Sequence, residues 1–203
     1  MLYIFDEPGK INEEFVKGSL QLLSEQRKNK ASVQKTIQGR AQCIMVYLLL
    51  RYALHFEYNI NEAVEFDYLS NGKPVLTDYP HIHFSLSHCK AAVCAALSTG
   101  SIGADIQEVR PVTDRLARRV LTDNEYTTFL NSKAPDDYFC KIWTIKESYI
   151  KKTGQGLAAK LNEIETNSIT DITLFNNKNY YCCVTEKVME IKRISIDKLF
   201  FAM

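Results

Sequence analysis

Apolar residues recur at steps of three and four from Ala41 through Ile44, Met45, Leu48, Leu49, Tyr52 and Phe56. That is the period of one long helix with a single face in the core. The pattern around it is shorter and more varied. A four-residue apolar strand, Leu2 to Phe5, opens the chain, and a polar helix is expected from Asn12 to Arg27. Val64 to Leu69, Ile82 to Leu86 and Ala91 to Leu97 read as strands, separated by the turn-forming runs Asn71-Gly72-Lys73-Pro74 and Ser87-His88-Cys89-Lys90. The segment Ile102-Gly103-Ala104-Asp105-Ile106-Gln107 alternates, sending Ile102, Ala104 and Ile106 to one face and Gly103, Asp105 and Gln107 to the other. Arg110-Pro111 ends it, because the residue before a proline is driven out of the helical region. Helical segments follow from Thr113 to Val120, from the capping-box spacing Thr122-Asp123-Asn124-Glu125 to about Leu130, and from about Asp136 to Lys152, with a stop near Gly154-Gln155-Gly156. Ile169 to Phe175, Tyr180 to Glu186 and Ile191 to Ile196 are the expected closing strands, around the turn Asn176-Asn177-Lys178-Asn179.

Strand, helices and strands thus occur twice, on either side of Ser98-Thr99-Gly100-Ser101, which predicts two similar lobes, residues 1–100 and 101–203. With 203 residues and 46% hydrophobic content the chain can build a core without covalent staples, burying roughly 70% of its unfolded surface. A formal charge of +1 supplies no global pull toward nucleic acid or an anionic membrane, so neither is an expected partner. The longest apolar run, Cys43 to Leu50, is far short of the roughly 20 residues a spanning helix needs, and Met1 to Glu7 lacks a basic leader. A cytoplasmic location is expected. Cysteines 43, 89, 94, 140, 182 and 183 form no Cys-x-x-Cys pair and have no histidine at zinc spacing, which reads as buried reduced thiols.

On a helical wheel starting at Tyr138, the apolar residues of the last helix fill an arc from about 340° through 140°, and Lys146 falls inside it at about 80°. A lysine in an apolar stripe must meet an anion or snorkel to an edge. Glu147 and Lys151 lie side by side just beyond the arc. An exposed pair one turn apart would add only a few tenths of a kcal/mol. If the Asp105 strand packs on this helix, two carboxylates and a lysine meet, a set that suits a hard cation and a phosphate. Ser85 and Ser87 share a face with His83, and His88 ends their strand. These groups suit phosphate contact, and no Gly-x-Ser-x-Gly elbow supports a hydrolase triad. Arg27, Lys28, Lys30, Lys35 and Arg40 read as solvated surface, and Arg115, Arg118 and Arg119 as solvated residues or a dock for an acidic partner.

Taken in order, Asn71-Gly72-Lys73-Pro74, Phe84-Ser85-Leu86-Ser87-His88, Ile102 to Pro111, and Trp143-Thr144-Ile145-Lys146-Glu147-Ser148-Tyr149-Ile150-Lys151 closely resemble the 4′-phosphopantetheinyl transferases of the surfactin-synthetase-activating type. The resemblance implies an α+β fold of two pseudo-twofold-related α/β lobes, each a small, mostly antiparallel sheet packed with helices, with coenzyme A and Mg²⁺ in the cleft between them. It implies transfer of the phosphopantetheine arm of coenzyme A to a serine of an acyl or peptidyl carrier protein, and having both lobes in one chain argues for a monomer. Asp105 and Glu147 would bind the metal. Lys146 and Lys151 would sit near the pyrophosphate, Lys73 and Pro74 at the adenine end, Ser87 and His88 at the nucleotide phosphates, and Lys28, Lys30 and Arg40 at the 3′-phosphate. Catalysis would fall to Glu147, Lys151 and Asp105.

Where many members place a third acid, this chain has Gln107, whose neutral oxygen can reach a cation directly or through water without adding charge. A coenzyme A-binding module without turnover and a different Mg²⁺-dependent phosphoryl transferase or hydrolase are the rival readings. Arg115, Arg118 and Arg119 are the candidate carrier dock.

Overall fold

A computed structural model of the chain describes residues 1–156, 159–187 and 190–201. Its strands are β1 (Leu2–Phe5), β2 (Phe66–Tyr68), β3 (Pro74–Leu76), β4 (His83–His88), β5 (Val93–Ser98), β6 (Ala104–Glu108), β7 (Thr173–Asn177), β8 (Tyr180–Val184) and β9 (Ile191–Arg193). Its helices are α1 (Glu13–Ser19), α2 (Glu25–Ser32), α3 (Ile37–Tyr58), α4 (Asp114–Val120), α5 (Asp123–Asn131), α6 (Pro135–Thr153) and α7 (Ile196–Phe201).

Alternation along the strands builds the layers. In β1, Tyr3 and Phe5 join the core under α3, while Leu2 and Ile4 face the opposite way, into a second core. Val93, Ala95 and Leu97 of β5 repeat the first choice, and Cys94 and Ala96 the second. Ile102, Ala104 and Ile106 meet that second core from the other sheet, with Tyr180, Cys182 and Val184 of β8. The order across the molecule is therefore α3, one sheet, the other sheet, α6.

Both halves use one topology. The first sheet runs β4-β5-β1 and the second β7-β8-β6, so in each the opening strand pairs antiparallel with the second strand of a later hairpin. The first sheet is not built from residues 1–100 alone. β9 adds to β1 in parallel, and Leu199 of α7 is fully buried in the core under α3.

Several elements depart from the sequence expectations. The helix expected over Asn12 to Arg27 is broken after Leu20–Leu22, because Ser24 accepts from the Arg27 N–H and caps a new helix. The closing segment expected as a strand from Ile191 to Ile196 shortens to β9 and turns into α7. The strand expected from Ile169 shifts to Thr173–Asn177, and β3 begins at Pro74, the last residue of the expected turn, where no strand was expected. By contrast, Thr113 and Thr122 cap α4 and α5, the latter with both bonds of the capping box.

All six cysteines are free and only Cys89 is partly exposed. Burial pushes the Cys140 and Cys183 thiols up to about 12, so they stay protonated and inert. No helix among the described residues is long and apolar enough to cross a membrane.

Candidate active site

β6 can lie against α6 because Gly103 precedes it. A Cβ there would stand 1.9 Å from the Ser148 carbonyl oxygen and 2.4 Å from the Lys152 nitrogen. β6 is an edge strand, and its free edge is closed from the other sheet: Ser85 Oγ accepts from the Ala104 N–H at 2.8 Å. This seats Asp105, 6% exposed, between β4 and α6. Its Oδ1 accepts from Ser87 Oγ and from Lys151 Nζ, each at 2.7 Å. Lys151 is thus paired with Asp105 across the two elements, in preference to an exposed pairing with Glu147 along its own helix.

Glu147 is half-buried on the same side. Burial, and then the charge of Asp105, raise its carboxyl above the ordinary carboxylate range, with Lys151 opposing. Two carboxylates beside one lysine, with the Asp105 charge opposing ionisation of Glu147, form a donor set that suits a divalent cation, so the residues fit such an ion. Among the described residues no cluster of three His, Cys, Asp or Glu is present, consistent with Gln107 in place of a third acid. Gln107 lies further along the strand, in a crevice beside Cys140 and Trp143, one helical turn before Glu147.

Lys151 and Ile150 form a partition between two cavities. The first, about 450 Å³, is lined by Arg27, Lys30, Lys73, His88 and Pro74, with aromatic walls from Phe66 and Tyr68. The second, about 730 Å³, holds Glu147, Trp143, Leu116, Arg118 and Arg119. His88 is wetted yet surrounded by the cleft wall, and that enclosure together with the Lys151 charge holds its imidazole below the usual range, against Asp105. Lys73 reaches across the halves, donating to Ser101 Oγ, the Ile102 carbonyl and the Lys152 carbonyl at 3.0–3.2 Å, and crowding at this junction lowers its pKa.

Six of the residues expected at the ligand or the carrier are placed or engaged as follows. Lys146 is fully buried and bonds Glu125 and two carbonyls inside the second half, away from the first cavity. Ser87 directs its hydroxyl proton to Asp105 and does not line that cavity. Lys28 and Arg40 line a separate hollow of about 250 Å³ beside α1, with Lys28 paired to Glu25. Arg115 lines neither cavity, and Arg118 is tied to Asp114 and stacked 4.2 Å over Tyr126.

The residue that sequence reasoning missed is Arg27. It is 3% exposed and lines the first cavity, with its guanidinium over Tyr47 and Phe66 and one nitrogen on the Cys43 carbonyl. Among the described residues no carboxylate pairs with it. The signal was the i,i+4 spacing of Arg27 and Ala31, the two buried positions of α2, which turns Arg27 and Lys30 toward the cavity and Lys28 away from it.

A model of the 4′-phosphopantetheinyl transferase superfamily matches residues 101–191. The 4′-phosphopantetheinyl transferase ffp of Bacillus subtilis is 35% identical over 118 residues, 57% of this chain and 53% of that protein. HetI, a 4′-phosphopantetheinyl transferase of Nostoc sp., is 43% identical over 112 residues, 50% of this chain and 46% of that protein. The chain therefore spans about half the length of either relative. The 4′-phosphopantetheinyl transferase gsp of Aneurinibacillus migulanus aligns further, with 32% identity over 171 residues, 75% of this chain and 71% of that protein. An alignment of that reach takes in both halves and the strand–helix junction that carries Asp105 and Glu147, and on it the chain belongs to the 4′-phosphopantetheinyl transferase superfamily.

Proposed function

We propose that the chain transfers the 4′-phosphopantetheine arm of coenzyme A to a serine hydroxyl of an acyl or peptidyl carrier protein. The serine oxygen forms a bond to the phosphorus that bears the arm, the diphosphate P–O bond breaks, and adenosine 3′,5′-bisphosphate leaves. The observation that carries this reading is the meeting of Asp105, Glu147 and Lys151 between a cation-lined cavity and a second, open one.

The first cavity suits the nucleotide. Among the described residues Arg27 is a buried cation without a carboxylate partner, a costly state that an anionic phosphate relieves, and Lys30 stands beside it. Phe66 and Tyr68 offer flat faces, and Lys73 and Pro74 close the end. Lys151 is held above its ordinary pKa by Asp105 and Glu147 despite its burial, so it stays charged to meet negative charge on the leaving side. Asp105 and Glu147 would hold Mg²⁺, with Gln107 as a neutral oxygen donor. When bound, the ion supplies neutralisation of the diphosphate and polarisation of the attacked phosphorus. Glu147, whose pKa is raised by burial and by the Asp105 charge and which faces the second cavity, takes the serine proton directly or through a water. Arg119, exposed on the rim of that cavity, is the arginine of α4 placed to meet an acidic carrier. Both halves that frame the site lie in one chain, which suits a monomer, and six free thiols suit the reducing cytoplasm.

The test is a gain of the arm's mass by an apo carrier mixed with the protein, coenzyme A and Mg²⁺. Asp105→Ala and Glu147→Ala abolish the gain, and Arg119→Glu raises the carrier KM alone. Cleavage of coenzyme A without an acceptor would replace this reading with a hydrolase.

A further inference from the structure

Lys146 precedes Glu147 in the chain, yet its ammonium points into the body of the second half. It donates to Glu125 Oε2, to the Val120 carbonyl at 2.7 Å and to the Leu161 carbonyl at 3.0 Å. An ammonium has three protons, so none is left for a phosphate. Glu125 is equally filled. Its Oε2 also accepts from the Thr122 N–H, and its Oε1 accepts from the N–H and the hydroxyl of Thr166. One ion pair thereby joins the end of α4, the cap of α5, the middle of α6 and residues 161–166. Val120, Leu161, Trp143 and Glu147, from three of those segments, line the 730 Å³ cavity.

We propose that Lys146 is a positioning residue: with Glu125 it fixes the wall of the open cavity around Glu147, and it makes no contact with coenzyme A. A buried ion pair adds little net stability over an apolar pair of the same size, but displacing it strands a charge in the interior. Apolar residues here would hold the segments together and let them slide. The pair instead gives the wall one arrangement, and α6 carries Glu147 on the turn it anchors. The identity of what enters the cavity rests on the proposed transfer reaction; the fixed wall does not.

Lys146→Met alone leaves Glu125 unpaired and is expected to unfold the chain, so the informative variant is Lys146→Met combined with Glu125→Gln, which removes both charges and keeps an oxygen for the Thr122 cap. Trp143 is the only tryptophan of the chain and lines this wall, so it reports on the wall without any carrier. In the folded double variant, acrylamide quenching of Trp143 is expected to rise about twofold, with coenzyme A binding by calorimetry within about twofold of the parent. The carrier KM rises at least about tenfold. Unchanged quenching in a folded double variant would overturn the positioning role, and so would a tenfold loss of coenzyme A affinity, which would put Lys146 on the ligand. If the parent protein modifies no apo carrier, the transfer reading fails while the quenching result still decides the role of Lys146.

Discussion

Glu147 is where chemistry and folding oppose each other. Burial and the Asp105 charge raise its carboxyl, which means the folded protein prefers it neutral. Its contribution to stability is therefore full below the ordinary carboxylate pKa and is lost as pH rises through the raised folded value. Ionising Glu147 for function therefore costs the fold stability. Glu147→Gln removes that cost, so its Tm should exceed the parent's by a few degrees at pH 7.5, with the difference vanishing near pH 4. Millimolar Mg²⁺ should raise the Tm of the parent at pH 7.5 and leave the variant unmoved, a reading by calorimetry that needs no turnover. Equal melting of the two proteins at both pH values would show that Glu147 is solvated and carries no such conflict. Asp105 is anchored differently, because Ser87 and Lys151 both bond its Oδ1.

At the level of elements, the site depends on how closely β6 and α6 approach, and that approach was written in one residue. Gly103→Ala would drive a methyl into the backbone of α6. With no flexible side chain to yield, the helix must move, at about 3 kcal/mol or roughly 10 °C in Tm by thermal melting, with loss of transfer. A melt within 2 °C of the parent would mean that the two elements are not locked. Local rules made much of this legible: strand alternation sorted Asp105 from Ile106, and the Thr122 capping box marked α5. What was not legible depended on helix phase and on distant partners. Lys28 and Arg27 are adjacent in a basic run, and only the Ser24 cap decides that Arg27 turns inward. Lys146 stood out as a lysine in an apolar stripe, a sound signal of a buried partner, but the wheel could not say that the partner was Glu125 of the preceding helix. α7 was missed because Ile194 and Ile196 alternate like a strand before the chain turns.

Across the whole molecule, the two halves are held together by the ends of the chain and by the cleft itself. Gly154, at a φ of 73° where glycine is favoured, ends α6 against Asn71 of the first half, and Lys73 crosses in the opposite direction. The C-terminal segment then returns. β9 covers β1, Lys192 bonds Glu57 at 3.0 Å, and Tyr180 of β8 donates to Asp6 beside β1. Without β9 and α7, β1 becomes an open edge and the pocket filled by Leu199 empties. A chain ending at Lys187 should therefore melt more than about 10 °C lower than the full chain and scatter light on warming, through pairing of the exposed edge. Lys192→Ala, which removes one ion pair and keeps the strand, should cost no more than a few degrees. If the shortened chain instead melted and bound coenzyme A like the full one, the returning segment would be a mere cover, and the first sheet would have to owe its rigidity to α3 alone.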